Sequence, residues 1–286
     1  MTHDDDDEPD LSDEVPGGRH STPERDRGKG SWLAQYGLTP ADLAGRIVSV
    51  ASYKGGVGKT FLAYEVAYLL GAILLDLDWD DGNATVAWGY NEEERMRSPL
   101  LDALEAGRTP RPLAGGPWRP DLVPCSSLFS DSQPSAKEMA KAVGGWAAHW
   151  GRELGRPVVV DTHPGGVPST LGAVAASHLI LMPTVLGERE MAAAKKMLRE
   201  LKSYPLLVVP NRIPLSPPER YITQLERAAG EAQVPIGPEI GEYRWLTTRA
   251  RRMAVTATTP VPKKARTLVD ELHKVGETVV SYVRAA

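Results

Sequence analysis

Two lysines and three glycines stand together in the segment K-G-G-V-G-K-T, residues 54–60. Glycines allow consecutive backbone N–H groups to converge on one point, and a helix that starts after them adds its positive N-terminal end. In such a loop Lys59 would reach the β- and γ-phosphates of a nucleotide, and the Thr60 hydroxyl would bind Mg²⁺. The segment therefore predicts a phosphate-binding loop.

The loop departs from the standard pattern G-x-x-x-x-G-K-[ST] at its first glycine. Tyr53 stands at that position, and Lys54 is an additional cation five positions before Lys59. One lysine is enough to hold the phosphates in the standard loop. Lys54 therefore needs an explanation of its own.

Buried strands and helices alternate along the chain around this loop. Short apolar runs without polar alternation are typical of strands covered on both faces. They fall at residues 47–52, 72–77, 121–124, 158–160, 179–182 and 206–209. One of the helical patterns between them starts with Ser216 and Glu219, which have the spacing of a capping box. The sequence predicts an α/β fold with a single doubly wound, mostly parallel sheet flanked by helices, and a last helix over 265–283.

Charge is distributed unevenly over the 286 residues, whose formal net charge is −4. Residues 1–30 hold ten acidic and four basic side chains, which predicts a disordered acidic tail before one folded domain over 31–286. The tail could aid solubility or compete with DNA for a basic face. The single cysteine, Cys125, excludes an internal disulfide. No apolar run approaches the roughly 18 residues of a membrane span, so we expect a cytoplasmic protein.

Four stretches in chain order resemble the motifs of the deviant Walker A ATPases of the ParA/MinD group. The first is K-G-G-V-G-K-T at 54–60, and the second is AILLDLDWDDGNAT at 72–85, a buried strand that ends in D-x-D. The third, RPVVVDTHPG at 156–165, is similar to the Walker B strand of that group. The fourth, LLVVPNRI at 206–213, is similar to the strand that ends in an adenine-binding Asn. The resemblance extends over residues 46–283 and implies that the folded domain is a P-loop ATPase domain.

The resemblance also implies a role for the polar residues of these motifs. Lys59 would serve the ATP of its own subunit, and Lys54 would reach the phosphates bound by the partner in an ATP-sandwich homodimer. Asp78 would position the attacking water, and Asn211 would read the adenine edge. The implied catalytic residues are Lys54, Lys59 and Asp78; the implied Mg²⁺ site consists of Thr60, Asp161 and Asp76; the implied ATP contacts are Gly55, Gly56, Val57, Gly58, Lys59, Thr60, Phe61 and Asn211.

Other interpretations of these residues stay open at this point. Aspartates at strand ends are also common helix caps and turn formers, and an Asn before a proline-rich loop is ordinary turn chemistry. The tripeptide W-D-D at 79–81 adds negative charge near the γ-phosphate, and we expect His163 to be a loop residue rather than a catalytic base. These departures leave two functions open, a slow ATPase stimulated by a partner and a dimerisation switch or scaffold with negligible turnover.

Basic residues accumulate towards the C-terminus, where residues 244–286 contain nine basic and three acidic side chains. Such a patch can neutralise DNA phosphates without sequence preference, although a solvated basic face is the plain alternative. The predicted DNA-binding residues are Arg244, Arg249, Arg251, Arg252, Lys263, Lys264 and Arg266.

The resemblance together with this patch favours a short ParA-like protein that is associated with the nucleoid. Its expected partners are non-specific duplex DNA and a ParB-like centromere-binding or adaptor protein, and its expected task is partition of a plasmid, a chromosome or another cargo. A MinD-like membrane-associated positioning ATPase is the alternative. It is disfavoured because the C-terminal helix pattern lacks a bulky hydrophobic wedge beyond Tyr282.

Overall fold

The computed structural model describes residues 28–90, 99–249 and 252–286. Within them, six parallel strands form one sheet in the order β3-β2-β4-β1-β5-β6. The strands are β1 Ile47–Val50, β2 Ile73–Leu77, β3 Asp121–Val123, β4 Val158–Thr162, β5 Leu179–Thr184 and β6 Leu206–Pro210. The predicted doubly wound parallel sheet is confirmed, and every predicted strand is present with small shifts at its ends.

Eight α-helices connect or flank the strands in the described part of the chain. They are α1 Lys59–Leu70, α2 Ala84–Trp88, α3 Pro99–Glu105, α4 Ala136–Leu154, α5 Pro168–Ala176, α6 Glu188–Leu201, α7 Glu219–Ala232 and α8 Arg266–Ala285. The capping box predicted for Ser216 and Glu219 is wrong, because α7 begins after Pro218 without a side-chain cap. A capping box is present instead at α4, between Ser135 and Glu138.

The sheet is covered by helices on both faces. Val48 and Val50 of β1 pack into the layer that contains α1 and α8, whereas their neighbour Ile47 faces the layer built on α4. Successive side chains of a strand point to opposite faces, so strands without polar alternation must be buried on both sides. This leaves the ends of the strands, rather than the faces of the sheet, for a functional site.

The strand register places three chain segments side by side at the carboxyl edge of the sheet. Asp76 of β2 pairs with Asp161 of β4, and Val50 at the end of β1 pairs with the same Asp161. The loop that leaves β1 therefore starts directly beside both aspartates. This is the edge at which nucleotides bind in open α/β sheets.

The described chain is tied to the sheet from its first residues. The Lys29 ammonium forms an ion pair with Asp121 at the start of β3, and Gly30 N–H donates to the Tyr68 carbonyl oxygen at 2.8 Å. The predicted acidic tail lies outside the described residues up to position 27, so its disorder stays a prediction. Among the described residues, the helices are all too short or too polar to cross a membrane.

Candidate functional site

The glycine loop adopts the strand–loop–helix geometry that its sequence predicts. It leaves β1, and α1 begins at Lys59 directly after Gly58. Gly56 and Gly58 have φ angles of 77° and 91°, which lie in the left-handed region that favours glycine. A Cβ atom on Gly58 would lie 2.3 Å from Nδ2 of Asn211, so this glycine also permits a close approach of β6.

A cavity of about 570 Å³ opens above the loop. Its wall includes glycines of the loop, Lys59 and Thr60 on one side and Asp78 on the other. The cavity thus lies where backbone N–H groups, a lysine and the positive end of α1 converge, which is the arrangement that binds phosphate groups.

Lys59 is 5% exposed and lies among acidic groups at the floor of this cavity. Its positive charge lowers the pKa values of Asp161 and Asp78, against the larger effect of burial, which raises both. A buried ammonium costs much free energy unless charged or polar groups accompany it. The position of Lys59 between two carboxylates and a glycine loop meets that condition and leaves its charge directed at the cavity.

Asp161 is the least satisfied polar group of the site. It is fully buried, and neither of its carboxylate oxygens has a hydrogen bond of normal geometry in the described part of the chain. Burial raises its pKa to about 7, while Lys59 and the neighbouring Thr60 hydroxyl lower it. A buried carboxylate whose oxygens lack hydrogen bonds of normal geometry can accept a cation, and Mg²⁺ prefers oxygen ligands of this kind. Asp161 and Thr60 therefore fit the predicted Mg²⁺ site.

Asp76 has a different environment, although it is equally buried. Its Oδ1 accepts a hydrogen bond from Asp78 N–H at 3.0 Å, and its Oδ2 accepts from the N–H and hydroxyl of Thr85 at 2.7 and 2.6 Å. Burial and the charge of Asp161 raise its pKa well above the ordinary value. Asp76 thus fixes the turn between β2 and α2, and its participation in Mg²⁺ binding stays a prediction.

Asp78 is a buried carboxylate that lines the cavity. It is 6% exposed, its Oδ1 accepts from Asp80 N–H at 3.2 Å, and its carbonyl oxygen accepts from the Asn83 side chain at 2.5 Å. Burial raises its pKa. The structure brings Lys59, Asp78 and Asp161 together as the sequence predicts, whereas the water-positioning role of Asp78 stays a prediction.

A second cavity of about 480 Å³ continues from the first towards β6. Gly56, Gly58, Phe61 and Arg249 line both cavities, and Asn211 lines the second. The Asn211 amide donates to the Val57 carbonyl oxygen at 2.8 Å and so fastens β6 to the glycine loop. A nucleotide with its phosphates at the loop would extend its base into this second cavity, which fits the predicted place of adenine.

Lys54 stands at the start of the glycine loop. Its backbone N–H donates to the Ser52 hydroxyl at 3.3 Å, its residue is partly exposed, and it is not among the described residues that line either cavity. This placement leaves its side chain available to another molecule. The predicted contact with the partner's ATP is therefore untested rather than contradicted.

The structure divides the predicted DNA-binding residues into two groups. Arg249 and Arg252 line the phosphate cavity, and Arg244 lines the second cavity. The other group, Lys263, Lys264 and Arg266, is exposed at the start of α8. Arg251 lies outside the described residues. The first group lines the two cavities and the second group is exposed to solvent, so the predicted DNA contacts of the two groups need separate tests.

Sequence analysis missed Glu65, which is 1% exposed in α1. Its carboxylate accepts hydrogen bonds from Val255 N–H at 2.5 Å and from the N–H and hydroxyl of Thr256 at 3.1 and 2.8 Å. The backbone of the basic C-terminal segment is thereby attached to the helix that begins with Lys59 and Thr60. The available signal was an acidic residue within the apolar pattern TFLAYEVAYLL, where an unpaired charge would be too costly.

A glycine loop between β1 and α1, with buried acids in β2 and β4 beside it, defines this chain as a P-loop protein with a deviant Walker A loop. No family model matches the chain. The chromosome-partitioning ATPase Soj of Thermus thermophilus is 30% identical to it over 146 residues, which are 48% of this chain and 54% of Soj. The chain therefore spans about half the length of that curated relative.

Solved structures support the same class of fold. The MinC:MinD cell division protein complex of Aquifex aeolicus matches 82% of this chain and 96% of its own, with a TM-score of 0.63 and 19% identity. An ATP complex of a McdA variant from Cyanothece matches 83% and 96%, with a TM-score of 0.60 and 18% identity. Together with the Soj match, these similarities confirm the predicted resemblance to ParA/MinD-type ATPases.

Proposed function

We propose that this protein is a ParA-like ATPase that binds Mg–ATP in the two joined cavities and hydrolyses it slowly. The observation that carries the proposal is the buried group of Lys59, Asp78 and Asp161 under the glycine loop. Burying three charged side chains costs much free energy unless a charged ligand interacts with them and offsets the loss of their hydration. A triphosphate with a divalent cation supplies the missing charges of both signs.

Each residue has a definite task in this proposal. The loop N–H groups and Lys59 hold the β- and γ-phosphates, and Thr60 and Asp161 hold the cation with its water shell. Mg²⁺ would neutralise charge on the phosphates during transfer. Asp78 orients the attacking water from the opposite wall of the cavity. Lys54 enters the site of a second subunit, so that ATP joins two copies of the chain.

The first test compares ATP binding by the wild type with that of Lys59→Ala. Losing a charge-assisted contact to the phosphates costs about 3 kcal/mol, which is about 100-fold in affinity. Lys202→Ala is the matched control, because it removes an exposed lysine at the end of α6. Equal ATP affinity of Lys59→Ala and the wild type would contradict the proposed site.

A second test concerns Lys54 and the homodimer. Lys54→Ala is expected to bind ATP in the monomeric form, because its own loop and Lys59 stay intact. Analytical ultracentrifugation with a non-hydrolysable ATP analogue measures this directly. A Lys54→Ala protein that dimerises as well as the wild type would refute the role of Lys54 across the interface.

We further propose that the ATP-bound dimer binds duplex DNA without sequence preference. The exposed residues Lys263, Lys264 and Arg266 at the start of α8 support this part of the proposal. A ParB-like partner would stimulate hydrolysis and release the protein from nucleoid DNA, which would move or partition a cargo. Retention on duplex DNA should require ATP rather than ADP and should fall steeply with salt. Retention that is independent of the nucleotide would remove the switch.

An ATP-dependent dimerisation switch with negligible turnover is the second candidate. It is favoured by Asp80 and Asp81, which line the phosphate cavity and oppose the charge of a γ-phosphate. Phosphate release with DNA and a cognate partner separates the two candidates. Stimulated release supports the ATPase, and its absence together with ATP-dependent dimerisation supports the switch.

A further inference from the structure

Two loops that flank the phosphate cavity are joined by a pair of aromatic rings. Trp79 follows β2 and His163 follows β4, and their rings are stacked with centroids 3.8 Å apart and planes inclined by 7°. Nε2 of the His163 ring lies 3.1 Å from Oδ2 of Asp80, within hydrogen-bonding distance. We call Trp79, Asp80 and His163 the loop clamp.

The loop clamp is held from both sides by the rest of the fold. The Trp79 ring also meets the buried Phe129 ring edge to face, at a centroid distance of 6.0 Å. The Thr170 hydroxyl, in α5, donates to the His163 carbonyl oxygen at 2.9 Å. Stacked and edge-to-face aromatic pairs have preferred geometries, so these contacts restrict both loops to one arrangement.

The imidazole of His163 lies beside Asp78 as well as within the clamp, because a ring nitrogen of His163 and carboxylate oxygens of Asp78 and Asp80 are within 4.8 Å of one another. Its Nδ1 atom is buried and has no hydrogen bond in the part of the chain that the structure describes. A buried polar atom without a partner costs free energy. The ring therefore keeps this orientation because of Trp79 and Asp80, not because of its second nitrogen.

The loop clamp is directly connected to Asp78, the buried carboxylate of the cavity wall. Asp78 immediately precedes Trp79 in the chain, and its Oδ1 accepts from the N–H of Asp80. Asp80 itself is held by His163, and the Asn83 amide fixes the carbonyl oxygen of Asp78. The residue that would orient the attacking water thus has a restrained neighbour on its C-terminal side, and the restraint comes from the other loop.

We infer that His163 is a positioning residue, which acts through Trp79 and Asp80 to hold Asp78 in its place opposite Lys59. This inference rests on the proposed ATPase function. Displacement of a reacting group by about 1 Å can lower a rate about 100-fold, whereas substrate affinity depends mainly on the loop and Lys59. His163 therefore affects turnover much more than ATP binding.

The test measures kcat and KM for ATP hydrolysis in His163→Ala, with His149→Ala on the exposed side of α4 as the matched control. The expected result is a kcat at least 10-fold lower, with KM within about threefold of the wild type. If the wild type hydrolyses ATP and His163→Ala has the same kcat, the inference about His163 is wrong, whereas the proposed ATPase function stands. A wild type without any hydrolysis overturns the proposed function, and with it the role of His163.

Two further variants separate positioning from a general loss of structure. His163→Phe keeps an aromatic ring on Trp79 and is expected to retain more kcat than His163→Ala. Trp79→Ala and the double variant with His163→Ala complete a cycle in which the two losses do not multiply, because both remove the same contact. Because the chain has seven tryptophans, the near-ultraviolet circular dichroism of the stack is measured as the difference between spectra with and without Trp79→Ala. The loop clamp would be contradicted if the kcat losses of the two single variants multiplied fully in the double variant. It would also be contradicted if the Trp79 circular dichroism signal were unchanged in His163→Ala.

Discussion

The three glycines of the loop give a quantitative test of its geometry, because the structure assigns a different cost to alanine at each position. Gly55 does not have a left-handed φ angle, and a Cβ there would make an ordinary 3.8 Å contact with Pro164. Gly56 has a φ of 77° and open space around a Cβ. Gly58 has a φ of 91° and a Cβ position 2.3 Å from Asn211. The costs should therefore rise from Gly55 to Gly58.

The expected free energies of unfolding follow from these three environments. Gly55→Ala gains up to about 1 kcal/mol, because alanine reduces the entropy of the unfolded chain without strain in the folded one. Gly56→Ala loses about 1 kcal/mol, because left-handed backbone costs alanine about 1–2 kcal/mol and part of that is offset by the same entropy. Gly58→Ala loses about 3 kcal/mol, because it also displaces the Asn211 amide from the buried Val57 carbonyl.

Urea unfolding without nucleotide measures these differences, since bound ATP would stabilise the folded state by mass action. The decisive control is Asn211→Ala, which removes the atom that collides. In that background Gly58→Ala should cost no more than Gly56→Ala does. The reasoning is refuted if Gly58→Ala and Gly56→Ala lower the free energy of unfolding equally when Asn211 is present. It is also refuted if the extra cost at Gly58 persists after the amide has been removed.

Two other predictions concern the basic C-terminal segment and Glu65, the residue of α1 that binds its backbone. Burial raises the pKa of Glu65, so the folded state binds more protons than the unfolded one between the ordinary and the raised value. The stability of the wild type relative to Glu65→Gln should therefore fall as pH rises through that window; urea titrations that run parallel at all pH values would contradict this. Arg249→Ala should weaken ATP binding, and Lys264→Ala should lower the slope of log affinity for DNA against log salt concentration by about one. ATP-binding and filter-binding assays measure these two effects. If Arg249→Ala changed only DNA binding and Lys264→Ala only ATP binding, the assignment of the basic residues to two groups would be wrong.

Most of the fold could be predicted because its strands are buried on both faces. Such strands must be continuous apolar runs, and the runs at 47–52 and 206–209 were recognisable for that reason. Strand ends were less predictable. Asp161 belongs to β4 rather than to the loop after it, because the ladder with β1 and β2 continues past the last valine. The valine run at 158–160 stops before Asp161, whereas Asp76 is followed by Leu77 and so falls within the run at 72–77.

The glycine loop was predictable because its chemistry is local. Consecutive residues supply the glycines, Lys59 and Thr60, and the strand and helix on either side fix their direction. The capping box at Ser216 was wrong for a local reason too, since prolines follow it and α7 starts only after Pro218. Equal spacing at Ser135 and Glu138 did form a box, so spacing alone does not locate a helix start.

Contacts between distant segments could not be predicted where no recognised motif connects the two segments. The stack of Trp79 on His163 joins residues from two loops, and the sequence of neither loop shows that the two rings come into contact. The same applies to Arg249, whose charge suggested a DNA surface although the fold places it at the junction of two cavities. A single sequence gives the type of a charged residue and its immediate neighbours. The direction of its side chain depends on packing across the whole domain.

The attachment of the basic segment to α1 has a consequence for any switch built on this fold. Lys59 and Thr60 form the first turn of α1, and Glu65 in the next turns holds the backbone at Thr256. Lys263 lies further along the same segment, in the short turn before α8, so a displacement of α1 on phosphate binding would reach the basic residues through the contact of Glu65 with Thr256. This connection is a candidate route, within one subunit, for the nucleotide dependence of DNA binding proposed above. If Glu65→Gln abolished the ATP dependence of DNA retention while ATP affinity stayed constant, the connection would be the physical basis of that dependence; if the dependence survived, it would have to arise from dimerisation alone.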